Sequence, residues 1–357
     1  MVNSAPALAP NLNIVINGQS LALAAMAATT DLIAATVVED VEALSMFTLE
    51  FMNWDLVKGE VTWVDHALFS VGNEVEIQMS CAGEPVTVMV GEITGLEPEF
   101  ALDDVPTFTV RGYDRRHRLM RGRKTRSFAK MKDSDIARQI ASSAGLIALV
   151  EDTKVKLEYV LQHNQTDLEF LQNRAQRIGY EVFVEHKKLH FRSPKNSQAR
   201  VLTLQYQDSL LRFSPRLSTM DQVGQVEVRG WDSKQKKALV GKASAGQESS
   251  KMGGKTSAST EVNRAFGKAS SPRVTLPVSS QQEADQMALG QFTEMGLVYI
   301  SGEGQCHGNP GLRAGTVIEI LGIGKRFSGL YYVSSATHTY EADQGYRTDF
   351  TVRRNAT

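Results

Sequence analysis

The pentapeptide Val110-Arg111-Gly112-Tyr113-Asp114 recurs far down the chain, with one aromatic exchanged, as Val228-Arg229-Gly230-Trp231-Asp232. Each copy closes a stretch that alternates apolar and polar residues, with Phe108 and Val110 before the first and Val223, Val226 and Val228 before the second. Each runs on into a basic segment. Alternation with period two marks a strand buried on one face. A glycine between a β-branched residue and an aromatic inside such a strand marks a bulge or a close backbone approach. The repeat therefore reads as one strand used twice and predicts two similar β-modules.

Upstream of the first copy the chain is mostly strands: Leu12 to Ile16, Phe47 to Phe51, Val75 to Met79 and Val86 to Val90. Turn signals at Asn17-Gly18, Val71-Gly72-Asn73 and Ala82-Gly83-Glu84-Pro85 separate them, the pattern of a small antiparallel barrel or sandwich. Phe47, Leu49 and Phe51 should share a face. The length of 357 residues leaves room for two or three domains whose cores need no disulfide staples. Cys81 and Cys306 lie far apart without Cys-x-x-Cys spacing, the usage of a reducing compartment. A formal net charge of −1 gives no global field toward nucleic acid or an anionic membrane. The apolar run Leu21 to Val37 is broken by Thr29, Thr30 and Asp31 and has no basic residue before it, so neither a spanning segment nor a signal peptide is expected.

The most basic stretch follows the first copy and includes Arg115, Arg116, Arg118, Arg121, Arg123, Lys124 and Arg126. No aromatic stacking platform interleaves these charges, as single-strand nucleic-acid binders require, so the expected role is a protein-partner interface or a solvated rim. Only Lys234, Lys236 and Lys237 answer it after the second copy. Downstream, Asp133 should cap a helix carrying Ile136, Ala137 and Ile140 on one face and ended by Gly145. Thr166-Asp167-Leu168-Glu169 is a capping box opening a helix with Leu168, Leu171, Ala175 and Ile178 at helical spacing and Gly179 at its stop. Tyr180 to Phe191 reads as a hairpin across Lys187-Lys188. From Gly241 to Pro272 small and polar residues dominate, which predicts a long mobile loop. Ser280-Gln281-Gln282-Glu283 opens one more helix, and Val298 to Val352 is β again.

Catalytic motifs are near misses. Gly253-Gly254-Lys255-Thr256 has Ser249 where a phosphate-binding loop needs its first glycine, and Gly322-Ile323-Gly324 lacks the third glycine of a dinucleotide fingerprint. Cys306-His307 is the only adjacent pair of good metal ligands, with no second pair at ligand spacing. No catalytic, cofactor or metal residue is assigned, and no enzymatic turnover is expected.

Taken together, the two pentapeptides, the helix and hairpin from Asp167 to Phe191, and the tail from Gly311-Leu312-Arg313-Ala314-Gly315 through Phe327 to Val333 and Phe350 to Asn355 resemble a known family. It is that of hub proteins of contractile injection machines: phage late control D proteins, the hub half of VgrG proteins and the hubs of extracellular contractile particles. The resemblance spans nearly the whole chain, by order and spacing of weak motifs. It implies a mainly β fold with α insertions (α+β), with two related small antiparallel β-barrels: residues 1–120 forming the first, 121–200 an inserted α/β region, 201–240 with 297–357 the second, and 241–296 a mobile loop and helix. It further implies a homotrimeric, non-enzymatic baseplate adaptor that joins a hexameric inner tube to a trimeric spike. Wedge proteins are further implied partners, and assembly in the cytoplasm is implied for a phage tail or tail-like particle. The alternative is a baseplate-associated cell-wall hydrolase of lysozyme type.

Overall fold

A computed structural model of the chain describes residues 11–21, 31–232, 235–267, 270–273 and 278–357. Lys234 and most of the apolar run after Leu21 fall outside these residues. The first seven strands are β1 (Asn11–Ile16), β2 (Gln19–Ser20), β3 (Leu32–Asp40), β4 (Met46–Met52), β5 (Glu74–Ser80), β6 (Val86–Glu99) and β7 (Thr107–Tyr113). All pair antiparallel in the order β2-β1-β5-β6-β7-β4-β3. Period-two burial makes the first core: Phe47, Leu49, Phe51, Phe108 and Val110 are fully buried and pack with Trp63 and Phe69. The shared face expected for the β4 aromatics is present.

A middle body follows. It holds the one-turn helix α1 (Arg116–Leu119), strand β8 (Lys124–Lys132), helix α2 (Asp133–Ser143), strands β9 (Ile147–Val150) and β10 (Lys156–Gln165), helix α3 (Asp167–Arg177), and strands β11 (Glu181–Glu185) and β12 (Lys188–Arg192). The capping box is complete: Thr166 Oγ1 accepts from the Glu169 N–H at 3.1 Å, and Glu169 Oε2 accepts from the Thr166 N–H at 3.1 Å. The β11–β12 hairpin turns at His186, in the left-handed region with φ 54°, one residue before the expected Lys187.

The last third contains β13 (Leu202–Gln205), β14 (Leu210–Leu217), β15 (Gln225–Asp232), β16 (Lys237–Ser244), helix α4 (Ala258–Phe266), β17 (Ser270–Arg273), helix α5 (Gln281–Leu297), β18 (Ile300–His307), β19 (Val317–Leu321), β20 (Gly329–Glu341) and β21 (Gly345–Arg354). Strands β14, β18, β21 and β20 are neighbours in order, with β19 and β13 branching from β20. Their core includes Ile300, Ile318, Ile320, Tyr331, Val333 and Val352. The chain is thus mainly β with α insertions. The two modules are not two separate closed barrels, however: β20 pairs antiparallel with β3, from Ser335↔Asp40 to Glu341↔Ala34, and fuses them into one 13-stranded sheet.

The repeated pentapeptide does not mark equivalent strands. The first copy lies in β7, central in the large sheet; the second lies in β15, which pairs with β16 and β17 in a separate three-stranded sheet. Val226, Val228, Leu239 and Ala243 of that small sheet share one core with α2, α3 and α5. Residues 225–240, expected in the second module, and 241–244, expected in the mobile loop, therefore join the middle body. What the copies share is the glycine: a Cβ on Gly112 would meet the Phe47 ring at 2.3 Å, and one on Gly230 would meet Val278 Cγ2 at 1.9 Å. Both glycines answer a close approach, as the sequence implied, but to different neighbours.

The stretch expected to be mobile is packed. Met252, Ala258 and Val262 are buried, and a Cβ on Gly254 would strike Ala356 at 2.6 Å. Lys255 and Thr256 N–H both donate to Thr357 O, so the loop resembling a phosphate cradle spends its amides on residue 357. Replacing residues 246–266 by a Gly-Ser linker is expected to cost at least about 3 kcal/mol, from Met252 and Val262 at ~1.5–3 kcal/mol each. Urea unfolding checks it, and an unchanged midpoint would restore the mobile-loop reading.

Candidate functional site

The basic stretch after β7 is not an open cationic patch. Arg116 is fully buried: its Nε donates to Asp114 Oδ2 at 2.8 Å, Nη2 to Ser45 Oγ at 3.0 Å and to Asp40 O at 3.1 Å, and Nη1 to Val182 O at 3.3 Å. Asp114, last residue of the pentapeptide, also accepts from the Ser45 N–H at 2.8 Å. One guanidinium thus joins the end of β7, the turn after β3 and strand β11. Arg115 bridges Glu74 at 2.5 Å and Glu92 at 3.3 Å, and Arg118 forks onto Glu92 with two bonds of 2.7 Å. Burial alone would raise the Glu92 carboxyl, but its hydrogen bonds from Arg118 and His117 outweigh burial and hold it below the ordinary carboxylate value.

The second half of the stretch faces α3. Arg123 reaches Glu169 at 3.1 Å, while Lys124 and Arg126 both reach Asp167 at 2.6 Å. These acids stand in the first turn of α3, where the helix dipole also favours negative charge. Of the seven residues expected at a partner interface, Arg115 and Arg116 are consumed inside the chain, and Arg118, Arg123, Lys124 and Arg126 are paired in place. Arg121 sits exposed in the turn between the two groups. Apart from Asp114, sequence reading missed the acids because they lie some 20–50 positions away, on other elements. Changing Arg123 and Arg126 to Glu would set like charges against Glu169 and Asp167, so such a variant tests folding before it tests assembly.

Three further polar clusters were not legible from sequence. Arg313, in the turn before β19, donates from Nε to Glu39 Oε2 at 2.6 Å and from Nη2 to Oε1 at 2.5 Å, and reaches the carbonyls of Thr87 at 3.0 Å and Val88 at 2.7 Å. Beside it, His338 on β20 is buried with Nδ1 2.7 Å from Tyr346 Oη; burial and Arg313 push its pKa down to about 3. At the contact of the middle body with the second module, Tyr332 Oη donates to both Glu181 oxygens at 2.8 and 2.7 Å. Burial pushes Glu181 up to about 7.

These last two groups make a pH prediction. Glu181 is raised from its ordinary 4.5, so its contribution to stability is full below about pH 4.5 and is lost as pH rises through about 7. His338 is lowered from 6.5, so its contribution is full above about pH 6.5 and is lost as pH falls toward 3. The two oppose each other between pH 4.5 and 6.5. Subtracting the stability of Glu181→Gln from wild type should leave the Glu181 component alone, falling as pH rises from 4.5 to 7 with a slope approaching ~1.4 kcal/mol per pH unit. Parallel stability curves for the two proteins would contradict it.

The chemical near misses resolve as structure. Cys306 and His307 alternate on β18, so Cys306 is buried and His307 exposed, and both cysteines are free thiols. Cys81 Sγ donates to Gly308 O at 2.7 Å. Among the described residues no group of three His, Cys, Asp or Glu side chains could hold a metal ion, and no helix is long and apolar enough to cross a membrane.

The fold itself recurs in solved structures. The 43 kDa tail protein of prophage MuSo2 from Shewanella oneidensis superposes with a TM-score of 0.71 at 12% identity, covering 97% of this chain and 98% of that one. A tail protein from Neisseria meningitidis MC58 gives 0.69 at 12% identity, over 97% of each chain. An Escherichia coli component of the type VI secretion system, described as similar to the T4 bacteriophage tail proteins gp27 and gp5, gives 0.60 at 14% identity, over 91% of this chain and 74% of that one. No curated protein matches the sequence significantly. A family model does: it is described as the Alg8 N-terminal domain and matches residues 8–342, nearly the whole of the two-module sheet and its middle body, and the chain belongs to that Alg8 N-terminal domain family.

Proposed function

We propose that this chain is a structural hub of a contractile tail or injection baseplate, a homotrimeric adaptor between a hexameric inner tube and a trimeric spike, acting without turnover. One observation carries the reading: two β-modules stand side by side in a single sheet, joined through β3 and β20, in a fold shared over nearly its full length with a prophage tail protein and a second tail protein. Three copies of a two-module chain supply six β-modules, the count needed to meet a six-fold ring with a three-fold one. Closure of a ring also covers sheet edges that otherwise invite aggregation; the edge at β14 is a candidate for such cover. In this reading tube, spike and wedge proteins are the partners, and the particle is put together in the cytoplasm.

Size-exclusion chromatography with light scattering tests it. A mass three times that of the monomer at tens of micromolar, an ordinary range for weak assemblies, is the expected result. A monomer at that concentration would overturn the trimer.

A further inference from the structure

Two loops leave the same end of the first module. The loop after β4 and the loop between β6 and β7 start from paired strands, Met52 standing opposite Thr107 and Thr107 opposite Glu99. Their bases are bonded to one another through the Asn53 N–H and Pro106 O at 2.7 Å. Below them the ground is stiff: Asn53 Oδ1 accepts from the Trp63 N–H at 2.8 Å, and Trp63, Phe51, Phe69 and Phe108 form one aromatic cluster. Asp55 and Glu60 close the first loop as an antiparallel bridge. The tips are therefore held in place by a rigid base.

What these tips display is apolar. Leu102 is 99% exposed, Val57 95%, Leu56 78%, Phe100 61% and Val105 45%. Single exposed apolar residues need no explanation, but several on neighbouring loop tips mark an interaction site. The surround is acidic: residues 53–65 and 97–111 contain Asp55, Glu60, Asp65, Glu97, Glu99, Asp103 and Asp104 against only Lys58 and Arg111. Lys58 is already within 3.5 Å of Asp55, and Arg111 within 2.8 Å of Glu97. Seven carboxylates against two cations leave an excess of five negative charges, 7 − 2, in a chain whose net charge is −1, and concentrate negative potential on this one end.

We propose that the paired tips of residues 54–62 and 100–106 dock an assembly protein that presents an apolar socket bordered by lysine or arginine. Apolar anchors at the centre supply affinity, and the acidic rim supplies orientation and rate of encounter. This rests on the hub reading above. It goes beyond it by moving the docking surface from the basic stretch, whose charges apart from Arg121 are paired within the chain, to an acidic end not singled out from sequence.

The test places the photo-crosslinker p-benzoylphenylalanine at position 57 or 102 in particles purified from the producing cells. Both positions should crosslink to one partner protein, within a segment whose apolar residues are flanked by lysine or arginine. In parallel, Val57→Asp with Leu102→Asp should reduce complete particles at least ten-fold while the purified variant keeps the wild-type urea midpoint. The proposal is overturned by crosslinks confined to copies of this chain, by an acidic partner segment, by no crosslink from a chain that is present in the particle, or by normal assembly of the double variant. Should the variant prove unstable, the crosslinks alone decide. A chain missing from the particle altogether would bring down the hub reading and this inference with it.

Discussion

Arg116→Met is expected to destabilise the protein by about 3–5 kcal/mol, the cost of removing one partner from a buried ion pair and stranding the other. Asp114 would remain in the interior, and Asp40 O, Ser45 Oγ and Val182 O would each lose a donor. Arg116→Lys should recover little, since one ammonium cannot reproduce the planar fork that reaches three elements at once. Adding Asp114→Asn to Arg116→Met should return part of the loss, because the stranded charge is then gone. Urea unfolding of the three variants is the measurement, and a loss below about 1 kcal/mol for Arg116→Met would show that the buried guanidinium contributes no more than an exposed pair.

Arg313→Met is expected to cost a similar ~3–5 kcal/mol but to loosen a different place. Its fork holds Glu39 of β3 and the carbonyls at the start of β6, so its loss should weaken the contact of the two modules and leave the middle body intact. Hydrogen exchange should show faster amides in β3 and the start of β6 with α2 and α3 unchanged. Arg116→Met, by contrast, should speed exchange in β11, whose Val182 carbonyl it holds. Identical exchange patterns in the two variants would contradict this division of labour.

Elements written locally were legible. The Thr166–Glu169 capping box, the helix opened by Ser280 and the buried aromatics of β4 each depend on residues within a few positions of one another, and each stands where the pattern put it. What failed was long range. The repeated pentapeptide was read as a repeated strand because its glycine signals a close approach, and sequence does not say to what; Phe47 and Val278 lie in different cores. The ion pairs of the basic stretch, which reads as a partner interface or a solvated rim, were likewise not legible, because the acids Glu74, Glu92, Asp167 and Glu169 arrive from separate strands and a helix. The small residues from Gly241 to Pro272 read as a mobile loop. Small side chains also serve where backbones touch: a Cβ on Gly241 would meet Ala284 O at 2.1 Å, so some of this composition reflects tight packing.

The junction of β3 with β20 has a consequence for how the protein is made. Ser335 and Glu39, bonded across it, are 296 positions apart. At the roughly 5–20 residues added per second during synthesis, β3 leaves the ribosome about 15–60 s before the strand that covers its outer edge exists. For that interval the nascent first module carries a row of unpaired amides and carbonyls, next to the fully apolar β4 face, open to any other nascent copy nearby. Crowded polysomes are the setting in which this chain is most exposed to wrong pairing, and overexpression is the condition that crowds them.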